Sequence, residues 1–167
     1  SKESNTTRIR ANYLLPPDGT SWSDQPFHTE FSVEAPNLAA FVVPDSVTKL
    51  KGRLRITGKA RLRNQLINGE LALEGHDIEA NGIPIQNAEI HATATDNQVS
   101  LALLHLALDD KNHIEGSGNV QWGGGLAYQG DLNVHLTDLS IFQSLLGEGP
   151  DQPRLGGALT LLWKGEG

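Results

Sequence analysis

The side chains best suited to proton transfer or metal ligation in this sequence are six histidines: His28, His76, His91, His105, His113 and His135. They are spread over different segments, and no two stand at tight ligand spacing, although His76 and His91 fall on segments that can become sheet neighbours. The pattern points to surface and strand-filling histidines rather than a metal centre. Gly116-Ser117-Gly118 sets a hydroxyl between glycines, but the Gly-x-Ser-x-Gly frame of a nucleophile elbow is absent. Neither that run nor Gly123-Gly124-Gly125 leads into the helix start or the Gly-Lys-Ser/Thr of a phosphate loop. Asp109-Asp110 is a carboxylate pair in a turn-forming stretch, where water is expected to solvate both groups. With no cysteine and no methionine, thiolate ligation and disulfides are impossible. The expectation is a chain with no catalytic residue, no metal and no cofactor, and hence not an enzyme.

The 13 Lys and Arg against 20 Asp and Glu give a net charge of −7. That balance opposes nucleic acid, whose phosphates demand a basic face, and it offers no polybasic handle for anionic headgroups. No apolar run approaches the ~18 residues of a membrane span. Ser1-Lys2-Glu3-Ser4 lacks the apolar core of a signal peptide, so any export signal or anchor is expected upstream of it.

What the sequence does carry is period-two alternation. Phe27, Thr29, Phe31, Val33 and Ala35 share one face of a strand; Leu50, Gly52, Leu54, Ile56, Gly58 and Ala60 share that of the next, with Lys51, Arg53, Arg55 and Lys59 opposite. Ile67, Gly69, Leu71 and Leu73 follow. Ile83 and Ile85 then give way to Ala88, Ile90, Ala92 and Ala94, out of phase by one near Asn87. A second slip separates Val99, Leu101 and Leu103 from Leu104, Leu106 and Leu108. Such slips predict bulges. Runs at Ile114–Trp122, Leu126–Leu136 and Leu155–Trp163 complete the pattern, while Ile9–Leu15 is an ambiguous strand. Asn81-Gly82, Asp96-Asn97, Asp109-Asp110 and Gly123-Gly124-Gly125 suit tight turns, so the strands form an antiparallel meander.

Two short helices are predicted. One runs near residues 36–43, opened by Pro36 and ended by Pro44; the other runs near 137–146, with Thr137 or Asp138 as N-cap and Gly147 beyond. These pieces repeat. Phe31-Ser32-Val33 through Asn37-Leu38 to Phe41 aligns with Leu132-Asn133-Val134 through Asp138-Leu139 to Phe142. Leu50 through Ile56 aligns with Leu155 through Leu161. The expected organisation is an irregular stretch or preceding strand over 1–26, one β-unit over 27–154, and the first strand of a next repeat over 155–167, with more protein following.

An apolar strand face must be covered by a second sheet, by closure or by a ligand. Aromatics are only 5% of the chain, and glycines at Gly52, Gly58, Gly69, Gly116, Gly118 and Gly130 interrupt the aliphatic rows. That combination predicts an all-β, strongly curved open sheet whose concave side is an aliphatic trough. Trp122 and Trp163 fall at strand ends in phase with it, where they pack the core or rim the trough.

The runs Leu50-Lys51-Gly52-Arg53-Leu54-Arg55-Ile56-Thr57-Gly58, Asn68-Gly69-Glu70-Leu71-Ala72-Leu73 and Ile83-Pro84-Ile85-Gln86-Asn87-Ala88-Glu89-Ile90 resemble the AsmA-like proteins and their TamB branch. Asp96–Leu101, Ile114–Val120 and the helix at Asp138–Phe142 extend the likeness over residues 27–167. The resemblance implies a segment of an inner-membrane-anchored periplasmic protein, built as a long β-groove that carries phospholipid toward the outer membrane and supports its assembly. It also implies an outer-membrane barrel of the TamA type as partner, through other parts of the full protein. The expected acyl-chain groove comprises Leu54, Ile56, Leu71, Leu73, Ile90, Leu101, Leu103, Leu106, Val120, Leu132, Val134 and Leu159. The competing readings are a structural β-rich stalk or adhesin module with a dry core, and a carbohydrate-binding sandwich, which the low aromatic content opposes.

Overall fold

The computed structural model describes residues 4–13, 26–40, 50–63, 66–146 and 153–167. Among them, nine strands form one open antiparallel sheet in which sequence neighbours are spatial neighbours. They are β1 (Thr6–Tyr13), β2 (Phe27–Ala35), β3 (Leu50–Arg63), β4 (Leu66–Ala80), β5 (Ile83–Asp96), β6 (Gln98–Ala107), β7 (His113–Gln121), β8 (Ala127–Leu136) and β9 (Leu159–Glu166). The all-β meander expected from the alternation is the observed architecture. The ambiguous N-terminal strand is β1. Strands β3, β4 and β5 run to 14, 15 and 14 residues, longer than the nine to eleven that the apolar runs suggest, because mostly polar residues carry each past the C-terminal end of its run. The turn residues Asn81 and Gly82 both have positive φ, 53° and 82°, the geometry that a type I′ hairpin demands.

Cross-strand register sorts the side chains onto two faces. Thr29, Phe31, Val33 and Ala35 of β2 oppose Ala60, Gly58, Ile56 and Leu54 of β3. These meet Gly69, Leu71, Leu73 and Gly75 of β4, and those in turn meet Ala94, Ala92, Ile90 and Ala88 of β5. The other face is charged: Lys59 pairs with Glu70 at 2.7 Å, Arg55 approaches Glu74 at 4.0 Å, and Lys164 lies 3.2 Å from Asp131. Exposed pairs of this kind contribute about 0–1 kcal/mol each. Their effect is to hold that face in water, which fixes the register and leaves the apolar face on the opposite side.

Of the two predicted slips, only the one in β6 is a register shift in the strand where it is expected; around Asn87 the β4–β5 register runs unbroken, with His76 opposite Asn87 and Ile78 opposite Ile85, and the neighbouring irregularity lies between β3 and β4. The β3–β4 register shifts between Lys51 and Arg53, where Gly52 (φ 109°) and Asp77 (φ 51°) take left-handed backbone. Below this kink Ile78 reaches back over Gly75, and Ile83 and Ile85 join the same apolar side as Ala88 and Ile90. A Cβ on Gly52 would stand 2.5 Å from the Asp77 carbonyl oxygen, so only glycine fits this bulge. The second slip lies in β6 between Leu101 and Leu104.

Two 3₁₀ segments sit at one end of the sheet. A turn at Leu38–Ala40 follows β2, and a helix at Leu139–Leu146 follows β8. Each opens on a polar cap: Ala39 N–H donates to Asn37 Oδ1, and Ser140 N–H donates to Asp138 Oδ1. Asp138, not Thr137, is therefore the cap of the second. Leu139, Ile141 and Phe142 of that helix pack against buried Ile83, Leu108, Val134 and Leu136. Ile83 and Leu136 are three strands apart, about 14 Å in a flat sheet. Both are buried in this one cluster, so the helix spans the strands between them. The rest of the helix expected near residues 36–43, the turn at Pro16-Pro17-Asp18-Gly19, Trp22, and Gly147 lie outside the described residues.

The internal repeat extends to register. Phe31, Val33 and Ala35 of β2 oppose Gly58, Ile56 and Leu54; their aligned counterparts Leu132, Val134 and Leu136 of β8 oppose Trp163, Leu161 and Leu159. Charges follow the same rule, with Glu30 opposite Lys59 and Asp131 opposite Lys164. The caps Asn37 and Asp138 also correspond.

Candidate functional site

Of the twelve expected groove residues, the register brings eleven onto one face. Leu54 and Ile56 of β3, Leu71 and Leu73 of β4 and Ile90 of β5 form contiguous rows. Leu101 and Leu106 of β6, Val120 of β7, Leu132 and Val134 of β8 and Leu159 of β9 continue them. Leu103 is the exception. It stands opposite His91, a residue of the charged face, because the β6 bulge falls between Leu101 and Leu104 rather than after Leu103. The unbroken alternation Val99-Leu101-Leu103 conceals this, since the extra bulge residue, Ala102, is itself apolar. Leu103 instead shares with Leu162 a depression of about 680 Å³ on the charged side, bordered by Glu115, Ser117, Asp131 and Lys164.

The eleven are not equivalent. Val134 is buried beneath the 3₁₀ helix, and Leu132 packs against that cluster. Toward the opposite end of the same face the side chains are open: Ile67 is 53%, Val99 41% and Val120 40% exposed. Leu71 and Tyr128 are exposed as well. Sequence reasoning missed Phe31, Ile67, Val99, Leu104 and Tyr128, all on this face by register. Four of them stood in phase with a chosen neighbour on their own strand, while Phe31 lies in β2, from which no residue was chosen.

The glycines shape the surface. Phe31 lies across Gly58 with its ring where a Cβ would stand, 2.5 Å from the ideal position. Trp163 covers Gly130 and Gly165 in the same way. An aromatic laid on a glycine keeps the strand flat against its neighbour and lowers the relief of the face. Trp163 is thus within β9 and not at a strand end. Trp122 lies just past β7, its backbone N–H donating to the Asn97 carbonyl at 2.8 Å, and both indoles stay exposed.

Polar groups play a structural part at the closed end. Asn112 is buried and accepts hydrogen bonds at Oδ1 from Thr137 N–H (2.6 Å) and Thr137 Oγ1 (3.0 Å), tying the β6–β7 turn to the end of β8. Its amide donates to Asp109 Oδ2 at 2.6 Å. Asp109 also accepts from the backbone of Lys111 and Asn112, and these bonds hold its carboxyl below the ordinary aspartate range. Asp110 alone of the pair is solvated as expected; Asp109 organises the turn.

His76 and His91 do not meet: His76 faces Asn87 and His91 faces Ala72. The histidines that do meet are His113 and His135, directly opposed in β7 and β8 with ring centroids 5.5 Å apart. Only the hairpin register between these strands could reveal that pair. No group of three or more His, Asp or Glu side chains among the described residues is arranged to hold a metal ion, and no helix among them is long and apolar enough to cross a membrane.

Among the described residues the site is therefore an aliphatic sheet face, shut by a helix at one end and half-exposed at the other, with no convergent polar or titratable groups on it. Such a surface can hold hydrocarbon by area alone. Comparison with family models, with curated proteins and with solved structures gave no match to this chain.

Proposed function

We propose that this chain is a segment of an AsmA- or TamB-like periplasmic bridge whose apolar sheet face holds phospholipid acyl chains on their way to the outer membrane. The observation that carries this reading is the unbroken aliphatic face from β3 to β9, half-exposed over its open end and backed by a face of paired charges. The repeat of strand, 3₁₀ segment and strand supports it, since repetition extends one face in one direction. In the same reading the full protein is anchored in the inner membrane, works with an outer-membrane barrel of the TamA type through other parts, and has no catalytic role for any residue here.

A magnitude supports an acyl ligand. Exposing hydrocarbon to water costs ~0.8 kcal/mol per methylene, so a single chain of about sixteen methylenes costs on the order of 13 kcal/mol to move unaided. A continuous aliphatic face removes much of that cost, and its lack of polar anchors avoids deep traps. A structural stalk needs the same face dry, and the buried cluster around Val134 and Leu136 fits that reading at the closed end alone.

Photoreactive residues placed singly at Leu71 and Val99, with Thr93 on the charged face as control, test the proposal in the presence of phospholipid vesicles. Crosslinking to acyl chains at the first two and not at Thr93 is expected. Equal labelling at all three positions, or none at any, would end the lipid reading.

A further inference from the structure

The two repeated strand pairs differ in what lies beyond them. The outer side of β3 is occupied by β4, whereas among the described residues nothing pairs with the outer side of β9. Tyr128 and Gly167 exchange both backbone hydrogen bonds, at 2.7 and 2.9 Å. In an antiparallel ladder such pairs recur every second residue, so Leu159, Leu161, Trp163 and Gly165 spend their backbone groups on β8. Thr160, Leu162, Lys164 and Glu166 therefore aim theirs outward. Side chains tell the same story: Leu159, Leu161 and Leu162 are exposed, while the corresponding Leu54, Ile56 and Thr57 of β3 are half-buried under the cover of β4.

We propose that the outer edge of β9 is an acceptor for an antiparallel strand of β4 type, supplied by polypeptide outside this segment, with an acidic residue set opposite Lys164. The charge pattern selects that occupant. Lys59 lies between Glu30 of β2 and Glu70 of β4, and its ammonium turns to Glu70 at 2.7 Å. Lys164, its counterpart, has Asp131 on the β8 side in the place of Glu30 and bonds it at 3.2 Å. The position of Glu70 is the one not filled from β8. The incoming strand places an apolar residue beside Leu161, as Leu73 stands beside Ile56. Strand addition of this kind draws affinity from main-chain hydrogen bonds and selectivity from alternate side chains, and it stands independently of the lipid reading.

The test uses the chain with a labelled peptide of the β4 sequence Asn68–His76, and the same peptide appended to Gly167 through a flexible linker so that weak affinity in trans is overcome by effective concentration. In both arms the amides of Thr160, Leu162 and Lys164 are expected to exchange at least tenfold more slowly, with those of Leu161 and Trp163 unchanged. Reversing the peptide's acidic residue, Glu70→Lys, is expected to weaken binding at least fivefold, and Lys164→Glu in the chain to restore it. No added protection in the appended arm overturns the proposal. So does binding indifferent to charge reversal, or protection of the same amides by β9 pairing with β9 of a second copy.

Discussion

The two ends of one apolar face are made of the same residue types and have different fates. At the end crossed by the Leu139–Leu146 helix, Val134 and Leu136 are 7% and 4% exposed; at the other, Ile67, Leu71, Val99 and Val120 stand open on the same rows. The strands do not change character between them. What changes is the presence of a covering element, aimed by the Asp138 cap and held by Gln143, which accepts from Leu155 N–H and donates to the Pro153 carbonyl. The alternation therefore specifies a face, and the connections decide which part of it becomes core and which stays available.

The sharpest way to break this contrast is a buried charge at each end. Leu136→Asp or Val134→Asp places an unpaired carboxylate in the closed cluster and is expected to cost several kcal/mol, enough to unfold that end. Leu71→Asp places the same group where water already reaches, and is expected to cost about 1 kcal/mol or less while lowering acyl-chain capture. Chemical denaturation of the three variants reads the difference directly. If Leu71→Asp proves as damaging as Leu136→Asp, the open end is dry in solution and the stalk reading replaces the conduit.

A smaller effect isolates the clasp from the hydrocarbon. Asn112→Ala removes the acceptor for Thr137 and the donor to Asp109 while leaving the apolar cluster in place. A loss of about 2 kcal/mol is expected, the cost of stranding buried polar groups. Hydrogen exchange should show the loosening at the β6–β7 turn and the start of the helix, with β4 and the far ends of β5 and β6 unaffected. Uniform loosening of the whole sheet would mean that the two ends are one cooperative unit.

How far the sequence reveals this molecule follows from the same contrast. The meander, the β6 slip and the strand–cap–strand repeat were legible because each depends on local alternation, turn residues or a capping side chain, whereas the slip expected near Asn87 is no register shift in β5. Even the pairing of Leu54 with the position of Ala35, and of Leu159 with that of Leu136, is implicit in the repeat. Leu103 was misassigned because a bulge within the all-apolar run Leu101-Ala102-Leu103-Leu104 leaves no polar residue to mark the skipped position. Val134 was grouped with open residues because its burial depends on a helix that returns across three strands, a tertiary fact with no local signature. The His113–His135 contact was invisible for the same reason.

The subtlest expected difference between the ends is their response to acid. Asp109 and Asp138 both lie at the closed end, and both carboxyls are held below the ordinary aspartate range by the hydrogen bonds they accept: Asp109 from Lys111 and Asn112, Asp138 from the hydroxyl and amide of Ser140. A carboxylate whose folded pKa is depressed contributes stability that is fully present above its unfolded pKa and is lost as pH falls through the folded value. Acid should therefore loosen the turn at Leu108–Asn112 and the helix start before it affects the open end. Asp138→Asn keeps a capping acceptor without the titration, so in this variant the helix start should hold down to lower pH relative to its own neutral-pH stability. Amide exchange at Ser140 and Ile141 followed from neutral pH into the acid range is the measurement. Identical acid profiles in the parent and the variant would show that the cap is not what couples this end to pH.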